Sequence, residues 1–597
     1  MSQTSSKEEQ VLGKAYDVKL AKRLWKFVRP HKKLLIFALI LIPISTAFTL
    51  AQPRLLKIAI DDYIGIKKTD GLTWIALLYI GCVTMSALIT FAQLYLLQHL
   101  GQRSMHDLRI ATYRHVLQLR SGFFDRVPIG RVLTRMTNDV ENINEMFAAG
   151  VVLLIADAFL LLGIVGAMAQ LNAKLTLITF TVVPPLILLV LWSRNIMRKS
   201  FRQIRLKLAS MNAYVAEHLS GLAIVQLFAR QKPAAEDYDK INGEYRNAYL
   251  GAIRADAIMY AIVEAVGIVS AALIAWYAGA NIGEGGLTVG LVVAFVEYVN
   301  RFFIPVKDLS AKYAVMQSAM AATERIVSLL DTDEPDAPAR ESTNTEPPSE
   351  TLEGDVVIAY ENVEFSYKAG EPILRNVSLS VDRGETVAVV GATGSGKSTL
   401  IRLLSRLYEP TGGKITFHGR NILDWDPADL RARITVVSQD AFLFAGTVAE
   451  NIRLGAQGSS TVEVEAALRD VGAESLLNRE KNVEEMKVIE RATNYSAGEK
   501  QLIAFARALR RNPEILILDE ATAHVDPDAE AQIEKGLAAL MQGRTTLVIA
   551  HRLSTIRRAD RIIVMANGVI AECGTREELL EKNAIYARLE RSFQETY

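Results

Sequence analysis

Gly391-Ala392-Thr393-Gly394-Ser395-Gly396-Lys397-Ser398 has the spacing G-x-x-x-x-G-K-S and follows the strand-like run 385–390 directly. A strand feeding a glycine loop aims backbone N–H groups and a helix N-terminus at phosphates, with the lysine on the outer phosphate oxygens and the hydroxyl on Mg²⁺. A chance glycine turn before a helix is the alternative, and it is disfavoured because motif and context agree. Further on, Ile515-Leu516-Ile517-Leu518 is an apolar strand ending in Asp519 and Glu520. The first acid can hold the Mg²⁺ shell, and the second can orient a water for in-line attack on a γ-phosphate. The expected chemistry is hydrolysis of a nucleoside triphosphate.

The elements that must position these groups read as an α/β domain over about 353–597. Strands are expected at 377–381, 434–437, 515–518 and 546–549, with helices between them. An acidic, proline-rich stretch at 331–352 precedes the domain and reads as a linker.

The first half is of another kind. Leu34 to Pro53 is a run of 20 residues without a charge, and Gly71 to Gln102 a run of 32. Either can cross the ~30 Å hydrocarbon layer, which takes about 20 helical residues. Further spans are expected at 146–173, 175–193, 257–283 and 285–305, giving six within 34–330. Pro184-Pro185 should kink the fourth. Arginine-rich segments follow spans two and four, and the N-terminal stretch 1–33 is lysine-rich, so these ends are expected on the cytoplasmic side. Within that stretch, Leu20, Leu24, Phe27 and Val28 sit at helical spacing, as in an amphipathic helix on the inner face of the membrane. The start of the chain lacks the features of a secretory or organelle signal, and a cytoplasmic membrane is the simplest location. A net charge of +1 gives no reason to expect nucleic-acid binding. Cys82 and Cys573 imply neither a disulfide framework nor a metal site.

Around the acids the chain resembles the ATP-binding cassette superfamily. Asn494-Tyr495-Ser496-Ala497-Gly498-Glu499-Lys500-Gln501 stands where that family has its L-S-G-G-Q signature. Gln439, Asp526 and His551 correspond to its Q-, D- and H-loops, and Tyr367 to the aromatic residue that stacks on adenine. The resemblance implies ATP and Mg²⁺ as ligands. The nucleotide is expected on Tyr367, Gly391, Thr393, Gly394, Ser395, Gly396, Lys397, Ser398 and Thr399, with Ser496, Gly498 and Asp526 completing the site. Ser398, Gln439 and Asp519 would hold the metal, and Glu520, His551 and Gln439 would serve catalysis. It further implies two cassettes closing head to tail, each ATP held between the phosphate loop of one and the signature of the other.

Six spans followed by a cassette is the half-transporter layout of exporters in this family. Phe123 to Asp139 and Glu217 to Phe228 resemble its cytoplasmic coupling segments, and Glu490-Arg491 the loop that senses them. The implied function is ATP-driven export of lipophilic or amphipathic small molecules, as one half of a dimer in the bilayer. An ATP-gated channel or a regulatory membrane ATPase on the same architecture is the alternative. The signature departs from L-S-G-G-Q at Tyr495, Ala497 and Glu499 while both acids are kept. That combination resembles one chain of the heterodimeric multidrug-like Mdl type and favours a different half-transporter over a second copy as partner. Charges within spans usually face a cavity or a partner. Glu297 and Arg301, four apart, can pair, whereas Asp157 and Glu264 have no evident local partner.

Overall fold

The structure is a computed structural model. It describes residues 17–597 apart from 282–286, 335, 337–354, 369, 480–481, 520–526, 551 and 597; the side chains of 148–149, 186–199, 307, 309–311, 527–529 and 593–596 are also outside the description. The chain divides into two compact units, one of Met1–Leu117 with Ile129–Thr332 and one of Gln118–Pro128 with Asp333–Tyr597.

The first unit is helical. Among the described residues, five helical stretches are long and apolar enough to cross a membrane: Val18–Ile64, Leu72–Leu117, Ile129–Leu171, Gln231–Ala280 and Val289–Val306. They match the first, second, third, fifth and sixth expected spans. The fourth falls on the shorter apolar stretch Ala173–Pro185 and runs into residues whose side chains are outside the description. There the chain does not kink a continuous helix as the proline pair suggests. Ala173–Phe180 ends, and Val183–Ser220 starts afresh with proline in its first turn. A proline in that position removes no hydrogen bond, because the first N–H groups of a helix have no intrahelical partner.

Several helices are far longer than a bilayer requires. Leu72–Leu117 has 46 residues, about 69 Å at 1.5 Å per residue. Gln231–Ala280 has 50. The N-terminal helix Val18–Val28 starts at Asp17, whose carboxylate accepts from Lys19 N at 2.8 Å. Its apolar positions Leu24 and Val28 are buried, and Leu24 belongs to a cluster with Met105, Leu108, Ile143 and Met320. This part of the amphipathic face is therefore covered by protein.

Among its described residues the second unit contains twelve strands: β1 (Val356–Phe365), β2 (Leu374–Asp382), β3 (Thr386–Gly391), β4 (Gly412–Phe417), β5 (Arg420–Asn421), β6 (Ile434–Val437), β7 (Gly446–Thr447), β8 (Lys487–Val488), β9 (Ile515–Asp519), β10 (Thr545–Ile549), β11 (Arg561–Ala566) and β12 (Val569–Gly574). The main sheet runs β12-β11-β3-β10-β9-β6, parallel except at β12. An antiparallel sheet β2-β1-β4-β5 forms a second layer. Alternation along β3 divides the core. Val387 and Val389 join the cluster shared with the antiparallel sheet, while Ala388 and Val390 join the one shared with the helix Ala497–Arg511. Each fully buried Leu or Ile there contributes about 1.5–3 kcal/mol. In register, Ile549 lies between Val389 and Asp519, so β3, β10 and β9 end together. Ligands of open α/β sheets bind outside such carboxyl ends.

Candidate functional site

β3 leads through Gly391 to Gly396, and the helix Lys397–Leu404 starts there. Two glycines make the turn possible. Gly396 caps the helix at φ 104°, and a Cβ on it would lie 2.7 Å from the Leu374 side chain. A Cβ on Gly391 would lie 2.2 Å from the Met565 carbonyl oxygen, closer than any relaxation of a flexible side chain could relieve. Lys397 folds back over the loop and donates to the carbonyls of Gly391 (2.8 Å) and Ala392 (3.0 Å). Burial holds its ammonium below the usual lysine range, against the pull of the Asp519 carboxylate. The hydroxyl of Ser395 is buried with no partner among the described residues, while Thr393, Gly394 and Ser398 are exposed. An orphaned hydroxyl, glycines at positive φ and a cation at a helix N-terminus together form a cradle that fits an anion such as a polyphosphate.

The other groups read from the sequence fall as follows. Asp519 ends β9 two strands from the loop, and Gln439 is exposed two residues past the end of β6. Glu520, Asp526 and His551 lie outside the described residues. Tyr367 stands just past β1, 40% exposed, with its hydroxyl 3.3 Å from Thr399 Oγ1. Phe365 and Tyr408 meet its ring edge-to-face at 4.8 and 5.2 Å between centroids. Arg402 donates to its hydroxyl at 3.2 Å. Tyr408 and Arg402 escaped the sequence reading, since neither belongs to the motifs that mark the site.

Ser496 caps the helix Ala497–Arg511 through a reciprocal box: the Glu499 N–H donates to its Oγ (3.2 Å), and its own N–H donates to the Glu499 carboxylate (2.8 Å). The departure from the family pattern at Glu499 thus acts as a helix-starting device, with Arg479 paired to the same carboxylate. Ser496 is exposed, and Gly498 is buried at the first turn. Farther along this helix, Arg507 donates to the backbone of Asn451 (2.9 Å) and Phe442 (3.1 Å), tying it to the segment that follows Gln439. The loop before it holds Arg491 and Ala492 at φ 58° and 50°, two successive non-glycine residues in left-handed conformation. Strain of this kind, of order 1–3 kcal/mol per residue, tends to cluster at working sites.

In the helical unit, the in-span charges have partners. Pro53 sits inside the helix Lys32–Ala59 and has no N–H for the carbonyl of Thr49, four residues earlier. Arg301 supplies the donor at 2.9 Å and also donates to Gln52 Oε1 at 2.8 Å, and Tyr298 donates to the neighbouring Leu50 carbonyl at 2.6 Å. The Arg301–Glu297 pairing legible in the sequence is present but longer, 3.8 Å. Asp157, which offers no local partner in the sequence, is met by Lys312 at 2.5 Å from a distant part of the chain. Glu264 also makes a polar or electrostatic contact.

Comparison with known proteins gives a consistent picture. The model of the ABC transporter transmembrane region matches residues 35–306, and the ABC transporter model matches 374–523. The chain is 34% identical to an uncharacterized ABC transporter ATP-binding protein, YknV, of Bacillus subtilis (strain 168), over 97% of this chain and 96% of the relative. It is 34% identical to a probable multidrug resistance ABC transporter ATP-binding/permease protein, YheH, of the same organism, over 87% and 77%. It is 33% identical to an ATP-dependent lipid A-core flippase of Thiobacillus denitrificans, over 95% and 97%. With spanning helices, a phosphate cradle at the carboxyl end of a parallel sheet and these relatives along nearly its whole length, the chain belongs to the ABC transporter family, as an exporter-type half-transporter whose ATPase is coupled to transport.

Proposed function

We propose that the chain exports lipophilic or amphipathic small molecules, drugs or lipids, across a cytoplasmic membrane by alternating access, as one half of a dimer. The observation that carries the energy source is the cradle from Gly391 to Ser398, with buried Lys397 and the unpartnered Ser395 hydroxyl at its centre. The multidrug and lipid A-core flippase names of two relatives support the substrate class. Arginine-rich segments after spans two and four support an N-terminus and an ATPase domain in the cytoplasm. The domain division we adopt is 1–33, 34–330, a linker at 331–352 and 353–597, with Gln118–Pro128 docking on the last of these.

In this reading Tyr367 stacks on the base, and the loop N–H groups, Lys397 and Thr399 hold the phosphates. Ser398, Gln439 and Asp519 would hold Mg²⁺, with most of its remaining ligands supplied by water and phosphate. Bound there, Mg²⁺ neutralises charge on the β- and γ-oxygens. Glu520 orients and polarises the attacking water, His551 contacts the γ-phosphate, and Asp526 borders the site.

Ser496 and Gly498 serve the ATP of a second subunit, because one chain supplies one loop and one signature whereas each closed site takes both from different cassettes. A different half-transporter is the partner this reading favours, since the variant signature stands beside intact acids. Leu222, Ile224, Leu227 and Phe228 in and beside the short helix Leu222–Leu227 are exposed, and we assign their cover to the ATPase domain of that second subunit.

The test is hydrolysis in the assembled transporter. Glu520→Gln should keep ATP binding and lose turnover by roughly a hundredfold or more, whereas Lys397→Ala should weaken binding itself. Wild-type phosphate release by Glu520→Gln, in an assembly with no other competent site, overturns the assignment. Expression alone and with a neighbouring half-transporter distinguishes the two dimers, and ATP-dependent dye uptake by inverted vesicles distinguishes a pump from a channel.

A further inference from the structure

The first cytoplasmic excursion reaches the aromatic residue assigned to the base. The helix Ser121–Arg126 belongs to the same compact unit as the ATPase domain, and its Phe123 is buried. Arg120 and Arg126 both pair with Glu334, and the Gln118 carbonyl accepts from Asp336 N at 2.8 Å. Asp125 accepts a hydrogen bond from the hydroxyl of Tyr408, whose ring also passes over Gly122. The same ring lies edge-to-face against Tyr367 and Phe365. Tyr367 is held at its other end by Arg402 and Thr399, and Thr399 lies in the first turn after the phosphate loop. Tyr408 thus touches the excursion through its hydroxyl and Tyr367 through its ring.

We propose that Asp125, acting through Tyr408, is a positioning residue for Tyr367, so that docking of the first excursion sets how firmly the site grips the nucleotide base. The inference rests on the base-stacking assignment of Tyr367. Two features suit Tyr408 to the task. It has neighbours on several sides, namely Asp125, Gly122, Phe365 and Tyr367, and its hydroxyl stays protonated, because desolvation and the Asp125 carboxylate both push its titration above the ordinary tyrosine range. The phosphate contacts of Lys397 and the loop N–H groups do not pass through this ring. Of the groups assigned to the phosphates, Thr399 meets Tyr367 through its hydroxyl, so the relay acts chiefly on the base.

That separation supplies the experiment. Binding of ATP and of inorganic tripolyphosphate, which has no base, is measured on the full-length assembled transporter carrying Glu520→Gln to prevent turnover. Tyr408→Phe and Asp125→Ala should each weaken ATP binding about threefold or more and weaken tripolyphosphate binding by clearly less. Asp125→Asn, which keeps an acceptor for the hydroxyl, should remain near the parent value. In a Tyr367→Ala background, Tyr408→Phe should cause no further loss. Unchanged ATP affinity in Tyr408→Phe overturns the proposal. So does an equal loss for both ligands, or a Tyr408→Phe effect that persists without the Tyr367 ring. If Tyr367→Ala alone leaves ATP binding intact, the stacking assignment itself fails and this inference fails with it.

Discussion

The two excursions around Ser121–Arg126 and Leu222–Leu227 have similar lengths of short helix and opposite surroundings. In the first, Phe123 is 5% exposed and Asp125 is hydrogen bonded to Tyr408. In the second, Leu227 is 83% and Phe228 73% exposed, with Leu222 and Ile224 exposed beside them. One excursion is covered within its own compact unit, and the other presents an exposed apolar face. Burial of such a face is worth about 25 cal/mol per Å², so the second excursion is where assembly would add most. On the proposed assembly, a single chain therefore carries one mechanical contact already made and one that waits for its partner.

The most severe way to break this comparison is to charge the bare face. Leu227→Asp combined with Phe228→Asp should lower the ATPase of the assembled transporter about tenfold or more, as loss of a central interface anchor does. The thermal unfolding of the chain should change little, since both side chains are already exposed. Full ATPase in that variant would mean that the face has no partner.

The converse holds for the covered face. Phe123→Ala removes a buried ring, a change that costs about 3–5 kcal/mol in well-packed cores. It should expose residues 118–128 to proteolysis and reduce substrate stimulation several-fold, while basal ATPase persists. Resistance to protease equal to the parent would show that the polar contacts of Arg120, Arg126 and Asp125 hold the segment unaided.

The smallest effect is expected at Gly221, which precedes the second helix. Its φ is −96°, and among the described residues a Cβ would meet only the Glu217 carbonyl oxygen, at 3.4 Å. Gly221→Ala should therefore change stability by no more than about 0.5 kcal/mol and leave basal ATPase near the parent value. A large loss of substrate stimulation alone would place a partner directly over this position.

What the sequence made legible was local or periodic. The phosphate loop is eight contiguous residues after a strand, and the spans are long apolar runs broken by at most two charges each, so neither needed knowledge of the fold. Asp519 was visible because it ends an apolar strand. The contact of Tyr408 with Asp125 joins residues far apart in the chain, and nothing in their neighbourhoods marks them as a pair. The same holds for Lys312 with Asp157. At Pro184-Pro185 the sequence carried the right signal with two outcomes. A proline pair can bend a helix or begin one, and only the break after Phe180 shows which. Glu499 read as a departure from a family pattern, and its physical role emerged from the capping box it forms with Ser496.

The bond between Arg301 and the Thr49 carbonyl makes two distant positions a single unit of variation. With Pro53 in place, loss of the arginine strands a carbonyl where a bilayer offers no replacement donor, at a cost of several kcal/mol. With alanine at position 53, the helix regains its own N–H for that carbonyl, and the arginine becomes a charge with less to do. The penalty for changing Arg301 therefore depends on what occupies position 53. Drift through this pair has a preferred order: loss of the arginine costs less once the proline has gone, leaving, among the described residues, only Gln52 and Glu297 short of a partner.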